Sequence, residues 1–285
     1  MNYEFFMSLI IYTLVYGLNY SLIALGFTLV FGVSKLLNLL YGSLYMSAAY
    51  MIYLFNTLLH LNLGFSIVFS LLSTVVIGLA FFIFYARFAR DQMSFLISMF
   101  LSALLLQYVY SYFFGGQSGL AIAGPLPSSS LSLAGVSVPE SFVATSLISL
   151  VLISALWVWI EKSGYGKEVR AAANDPEVAQ AFGIDTMKIA IVIFIISTLL
   201  IALASVLLVP SSVVTPTMWL DPFVSAFAVS IVAGLGRFKW VIPAAFILSF
   251  SQLLVQLSLP YNLSDIVGFL IMIGVLIAKP SGLGG

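Results

Sequence analysis

The sequence predicts an all-α, polytopic membrane protein of about nine transmembrane helices, within a range of eight to ten. Three observations predict it. Of 285 residues, 62% are apolar and only 7% are Asp, Glu, Lys or Arg, whereas an ordinary soluble domain carries about 25% charged residues. The apolar runs are continuous over about 17–25 residues, the length of a helix that crosses a hydrocarbon core about 30 Å thick, and they lack the alternation of barrel strands. Finally, the cations fall on one side of a nine-span arrangement.

The spans are placed at 5–33, 38–58, 64–86, 94–114, 142–160, 189–209, 220–236, 240–258 and 264–278. The first does not resemble a cleavable signal peptide. Glu4 is its only early charge, and its apolar run far exceeds the about 7–15 residues of a signal. It is too long to stand perpendicular to the bilayer, so it tilts, kinks near Gly26 or ends before Phe31. Lys35 follows span 1, and Arg87 and Arg90 follow span 3. Lys162, Lys167, Arg170 and Lys188 lie between spans 5 and 6, Arg237 and Lys239 between spans 7 and 8, and Lys279 after span 9. The connections around His60 and at 115–141, 210–219 and 259–263 hold no Lys or Arg. The positive-inside rule then places the N-terminus outside and the C-terminus in the cytoplasm of a multi-pass plasma-membrane protein. The whole of 1–285 reads as a single transmembrane domain. Its largest outer connection, 115–141, is rich in Gly, Ser and Pro and reads either as a docking surface or as a linker between two halves.

Composition also excludes function classes. Ten cations balance ten anions, so no basic patch points to nucleic acid. With no Cys and one His, thiol chemistry and His-based metal sites are excluded, and no metal is expected. No G-x-x-x-x-G-K-[ST] string occurs, so the chain has no P-loop for ATP. No acid–base pair or nucleophile constellation marks an enzyme. No ionisable residue lies mid-span, which leaves little for a proton relay or a voltage sensor. The polar groups within spans are neutral, among them Asn19, Ser21, Asn38, Ser43 and Gln107. They read either as interhelical hydrogen bonds or as the lining of a path. Gly17, Gly26, Gly32, Gly234, Gly236 and Gly274 permit close helix approach.

The long polar stretch 161–188, EKSGYGKEVRAAANDPEVAQAFGIDTMK, carries the sharpest signals. Lys167–Ala173 contains good helix formers. Asp175 is a good N-cap, Pro176 suits the first helical position, and Glu177 faces the positive end of the helix dipole. Gly183 ends the helix as a C′ residue, and Asp185 caps the next one. A two-turn helix over 176–182 follows, with Val178, Ala179 and Phe182 on one side. Either this apolar edge inserts into a groove on a partner, or Phe182 packs back on the membrane domain.

RAAANDPEVAQAFGID (170–185) resembles the cytoplasmic loop of permease subunits of branched-chain amino-acid ABC transporters. GLNYSLIALGFTLVFGV (17–33) is similar to the family's first span, VAGLGRFKW (232–240) to its Gly-Gly-Leu-Gly turn, and KPSGLGG (279–285) to its Arg-Pro-x-Gly-Leu ending. The matches are in order along nearly the whole chain and fit the shorter of the two permease types. The chain departs from the family pattern in LNLLYGSLYMSAAY (37–50), where Tyr41 stands for a His and Ser43 for an acid, and at Ala233 and Arg237.

The resemblance implies a non-enzymatic permease that forms a path for branched-chain or related amino acids. Cytoplasmic ATPase subunits would bind the ATP, so this chain needs no cofactor of its own. A second permease subunit, as a heterodimer, and an extracytoplasmic binding protein would complete the assembly. By the same resemblance Arg170, Asp175, Pro176, Glu177, Val178, Phe182 and Gly183 form the ATPase-coupling segment, and Asn19, Ser21, Asn38, Gly42, Ser43 and Gln107 are candidates for the path. The reading that stands beside it is a gradient-driven carrier or channel for a small neutral or zwitterionic solute.

Overall fold

A computed structural model of the chain describes residues 3–88, 91–115, 119–120, 130–133, 135–208, 213–258, 264–279 and 282–283. Arg90, the connection 259–263, most of 116–129 and part of the closing KPSGLGG motif lie outside the described residues, and with them most of the outer loop read as a docking surface or linker.

Among the described residues the regular structure is helical apart from one hairpin and an isolated antiparallel bridge between Leu120 and Val214. The helices are α1 (Tyr3–Ser34), α2 (Tyr41–Tyr53, continued by a π-helical turn Leu54–Leu58), α3 (Leu63–Phe88), α4 (Gln92–Phe114), α5 (Glu140–Lys162), α6 (Gly164–Asn174), α7 (Pro176–Ala181), α8 (Thr186–Leu208), α9 (Leu220–Ala233), α10 (Phe238–Ser258) and α11 (Ser264–Ala278). Each of the nine apolar segments carries a helix. Six of these, α1, α3, α4, α5, α8 and α10, are long and apolar enough to cross a membrane. The others are shorter: 13 residues in α2, 14 in α9 and 15 in α11. At about 1.5 Å per residue α9 reaches only about 21 Å, while α2 with its π-helical turn reaches about 27 Å.

The short helices have local causes. After α1 the chain leaves the helical conformation at Lys35, with φ at 54°, and residues 35–38 are non-helical before α2 begins. Pro216 and Pro222 bracket the start of α9. A proline disfavours helix in the residue before it and is tolerated within the first helical turn.

Two sequence expectations are corrected. α1 does not end before Phe31, and it runs unbroken through Gly26 for 32 residues. That is about 48 Å, which leaves tilt or emergence from the bilayer as the way to fit it. The helix persists because nothing interrupts it until Ser34, whose Oγ bonds the Val30 carbonyl, and Lys35, whose N–H still reaches Phe31 O at 2.8 Å. The second correction lies in the outer loop. Strands β1 (Ser130–Leu133) and β2 (Val136–Pro139) pair antiparallel with Leu131 opposite Val138, turning at Gly135 with φ at 85°. The strings SLSL and VSVP alternate with period two, a strand signal hidden by the Ser content of the loop. Val138 is fully buried.

The chain packs as two units, one from 1–28, 126–167 and 224–285, the other from 29–125 and 168–223. In the first unit Asn19 Oδ1 accepts from Ser149 Oγ (3.2 Å), the Thr28 and Ser230 hydroxyls bond each other (2.8 Å), and Phe27 meets Phe227 edge-on. Leu283 N–H bonds Val232 O at 2.8 Å, tying the C-terminal motif to the Gly-Leu-Gly turn. In the second unit α2 is the central element, packed by α3, α4 and α8. Of its residues only Met51 and Tyr53 are not buried. Ser70 Oγ of α3 bonds Ala48 O (2.8 Å), and Ser205 Oγ of α8 bonds Tyr45 O (2.7 Å). Such interhelical bonds contribute about 0.6–2 kcal/mol each in a membrane.

Candidate functional site

The polar loop folds as two short helices, α6 and α7, clamped at their ends. Ser163 Oγ accepts the Gly166 N–H at 2.8 Å and starts α6, three residues earlier than the helix formers alone suggested. Val169 and Ala172 are fully buried and seat it, and Lys35 Nζ donates to Ala173 O at 2.5 Å. Asp175 adopts extended dihedrals, and its Oδ1 accepts from Glu177 N (3.0 Å) and Val178 N (3.1 Å). Pro176 occupies the first helical position and Glu177 the first turn of α7.

The helix closes with a paired C-terminal motif. Gly183 N–H bonds Gln180 O (2.9 Å) and Ile184 N–H bonds Ala179 O (3.1 Å), while Gly183 takes φ of 82°. This left-handed position is the one glycine adopts without strain. Gln180 Nε2 donates to Thr186 Oγ1 at 2.7 Å. Asp185 Oδ1 accepts the Lys188 N–H at 3.1 Å and so caps α8. That backbone hydrogen bond, with the Lys188 ammonium beside it, holds the Asp185 carboxyl below its ordinary range.

Exposure separates the three apolar residues of α7. Phe182 is 83% exposed and Val178 50%, whereas Ala179 is 3% exposed. The expectation that all three share one side is therefore corrected. Ala179, next to Val178 in sequence, is turned about 100° from it and faces inward. Phe182 does not pack back on the protein. Arg170 is half-buried on α6 and Glu177 is exposed.

Beside Pro176 lies a cleft of about 490 Å³ walled by Ser34, Phe82, Phe95 and Met187, with Asp91 and Gln92 at its edge. Asp91 caps α4 through the Ser94 hydroxyl and N–H, and the hydroxyl first of all keeps its carboxyl below the ordinary range. Gln92 Nε2 reaches Lys35 O at 3.5 Å. The end of α1, the start of α4, the α6–α7 loop and the start of α8 therefore gather at one end of the second unit.

The candidate path residues divide. Asn19 and Ser21 belong to the first unit and Asn38, Gly42, Ser43 and Gln107 to the second. Most are satisfied internally: Asn19 Nδ2 bonds Val15 O (2.8 Å), Ser21 Oγ bonds Gly17 O (2.6 Å), and Ser43 Oγ bonds Leu40 O (2.7 Å). In the second unit a residue the sequence reading missed, Trp219, contacts two of them. Its indole N–H donates to Gln107 Oε1 at 2.7 Å. Its carbonyl oxygen lies against Gly42, where a Cβ would collide with it and come within 2.7 Å of Phe223 Cβ. Asn38 stands at the start of α2. Its Oδ1 accepts the Leu40 N–H (3.1 Å), and its Nδ2 is buried with no partner. The signal for Trp219 was its position between Pro216 and Pro222, which breaks the helix just before it. Among the described residues no cluster of three or more His, Asp or Glu is placed to hold a metal ion.

Comparison with known proteins bears on the whole chain. The permease protein LivH of the high-affinity branched-chain amino acid transport system of Escherichia coli (strain K12) is 26% identical over 288 residues, covering 94% of this chain and 92% of that protein. BraD of Pseudomonas aeruginosa, a permease protein of the same description, is 24% identical over 284 residues with the same coverage. Among solved structures, PsaBC from Streptococcus pneumoniae in complex with Fab superposes with a TM-score of 0.51 at 14% identity, covering 96% of this chain and 92% of that one, a likeness of fold. The sequence pattern of the family described as the permease component of branched-chain amino acid transport systems matches residues 9–276. With nearly its full length so matched, the chain belongs to the permease components of branched-chain amino acid transport systems.

Proposed function

We propose that the chain forms, with a second and different permease subunit, the path of an ATP-binding-cassette importer for branched-chain or related amino acids. It is a multi-pass protein of the cell membrane and a transport permease rather than an enzyme. ATPase subunits and a substrate-binding protein are its partners as a member of this family. In this reading nine helical segments enter the bilayer, the N-terminus lies outside, and the cation-bearing turns and the C-terminus lie in the cytoplasm. The gathering of Lys35, α6–α7 and the start of α4 at one end of the second unit supports that orientation.

The observation that carries the mechanism is Phe182. A large apolar side chain, 83% exposed, stands on a helix whose two ends are fixed by Asp175 and Gly183. An aromatic anchor on a rigid support loses little conformational freedom on docking, which is what an interface hot spot needs. Arg170, Asp175, Pro176, Glu177, Val178 and Gly183 shape this coupling segment, and Phe182 enters a groove on an ATPase. Closure of the ATPases on ATP moves α7 as a rigid body and biases the path between its two facings. The cargo is a zwitterion, and a path lined by neutral amides, hydroxyls and helix ends passes it without holding it tightly. Asn19, Ser21, Asn38, Gly42, Ser43 and Gln107 contribute to that lining.

The test is uptake of labelled leucine into proteoliposomes that contain the chain, the second permease and the ATPases, with binding protein outside and ATP inside. Uptake should stop when the ATPase loses its P-loop lysine. Uptake by this chain alone, driven by a sodium or proton gradient without any ATPase, would replace the proposal with a gradient-driven carrier.

A further inference from the structure

Two of the short helices begin at the same place inside the second unit. Leu44, in the first turn of α2, packs on Gly78 and shares it with Phe194. Gly78 lies ten residues before Phe88, so the start of α2 is about 15 Å along α3 from the end where Lys35 and Ala173 meet. The chain that leaves α1 at Lys35 therefore climbs back toward the middle of the unit before α2 starts. The other helix is α9. Trp219, immediately before it, bonds Gln107, which is fifteen residues and about 22 Å along α4 from Gln92. The carbonyl of Trp219 lies on Gly42. The starts of α2 and α9 thus meet partway along α3 and α4, away from the end where Lys35 and Ala173 meet.

The start of α2 is short of acceptors. Asn38 supplies two, its Oδ1 to Leu40 N–H at 3.1 Å and its carbonyl to Tyr41 N–H at 3.2 Å. Among the described residues the N–H groups of Gly42 and Ser43 have no backbone acceptor outside the helix, as the first turn of a helix requires unless something else supplies one. Asn38 Nδ2, on a side chain only 4% exposed, has no partner. Because Oδ1 of the same amide bonds Leu40 N–H, Nδ2 is held at the helix start. A buried donor left unpaired costs about 1–3 kcal/mol, so Nδ2 is open to an acceptor that reaches it. The atom that now lies over Gly42 is itself an acceptor, the Trp219 carbonyl oxygen.

We propose that Asn38 Nδ2 and the first-turn N–H groups of α2 bind the carboxylate of the amino-acid cargo as it crosses, and that the Trp219 carbonyl occupies this position when the path is closed at Gly42. This deepens the importer reading and rests on it. The group recognised is an anionic carboxylate, favoured by the positive end of the helix dipole and by donors in a dry setting. Withdrawal of Trp219 and Phe223 from α2 uncovers Gly42, and the absence of a side chain there lets the ligand approach the backbone. The close fit of Trp219 and Phe223 on Gly42 restores the barrier afterwards.

Asn38→Asp tests the idea with little structural disturbance. It keeps the oxygen that caps Leu40 and turns the free donor into an anionic acceptor beside the proposed site. Asn62→Asp is the control, since Asn62 Oδ1 makes the same local bond to Gly64 N–H (2.9 Å) at the start of α3. In proteoliposomes of the complete transporter, leucine uptake and ATP hydrolysis are measured together. Asn38→Asp should lower uptake per ATP at least about ten-fold, as loss of a charge-assisted hydrogen bond and its replacement by repulsion requires. Hydrolysis stimulated by loaded binding protein should stay within about two-fold, the thermal midpoint should not fall, and Asn62→Asp should change nothing. Unchanged uptake per ATP in Asn38→Asp overturns the proposal. Loss of assembly and hydrolysis in that variant overturns it as well, because it marks a structural role. Failure of the native transporter to couple uptake to ATP is a different result and falls on the importer reading.

Discussion

Replacing Phe182 by Ala separates a docking role from a packing role. At 83% exposure, the side chain touches little of its own chain, so its removal should leave the thermal midpoint unchanged, the expected stability effect being within about 0.5 kcal/mol. Burying a phenylalanine in a partner groove is worth about 1.5–3 kcal/mol. Since 1.4 kcal/mol is tenfold in an equilibrium constant, the ATPase should bind Phe182→Ala about 10- to 150-fold more weakly. Phe182→Asp adds the cost of bringing a charge into that groove and should abolish co-purification. The assay is titration of fluorescent ATPase subunit onto the permease in nanodiscs, with the melting curve of each variant alongside. Unchanged affinity would refute the reasoning. A weakened complex accompanied by a clear fall in melting temperature would refute it too, by showing that Phe182 supports the fold instead.

Other substitutions probe the frame around it. Asp175→Ala removes two N–H acceptors of α7 and should cost about 0.5–2 kcal/mol locally, seen as faster hydrogen exchange over 176–183 with the membrane helices unaffected. Gly183→Ala forces a side chain into φ of 82° and should loosen the same segment by about 1–2 kcal/mol, with uptake reduced through coupling rather than through membrane insertion. Gly42→Ala brings a Cβ into the Trp219 carbonyl and Phe223. Overpacking of this kind costs about 1–3 kcal/mol, so a lower melting temperature and lost transport should appear together. The Asp185 carboxyl titrates below its ordinary range in the folded chain. Its contribution is complete above about pH 4, the unfolded value, and is lost as pH falls through the lower folded value. Asp185→Asn should flatten the acid limb of the stability curve, with the loss of stability seen at neutral pH and none left to lose in acid.

Much of the polar loop around α7 was legible in the sequence because its determinants are local. Asp175, Pro176 and Gly183 act within a few residues of themselves through caps and backbone dihedrals, and the structure bears out each of these local geometries. The side of α7 that Phe182 faces was not legible. Val178, Ala179 and Phe182 are all apolar, and only the neighbours that cover Ala179 separate it from the other two. The hairpin at 130–139 was obscured for the opposite reason: its period-two signal was present but diluted by serine in a loop with few apolar residues.

The path residues show the same division more sharply. Their neutral polar character was evident from composition, yet the role of a buried amide depends on what stands opposite it. Asn19 and Ser21 turn out to be satisfied within their own unit, Gln107 by Trp219, and Asn38 only in part. Trp219 lies 177 positions from Gly42, and no local pattern foretells that its carbonyl covers that glycine.

The sequence by itself determined that this chain is a helical membrane protein with all ten of its cations on one predicted side, no P-loop of its own and a capped helix in its polar loop, because hydropathy, charge placement and capping act over one helix length or less. Only the tertiary structure decided that α2 is a buried half-helix, that its start meets the start of α9, and that Phe182 is left uncovered. Those outcomes depend on which surfaces the folded chain brings together, and that is set by packing between segments far apart in sequence.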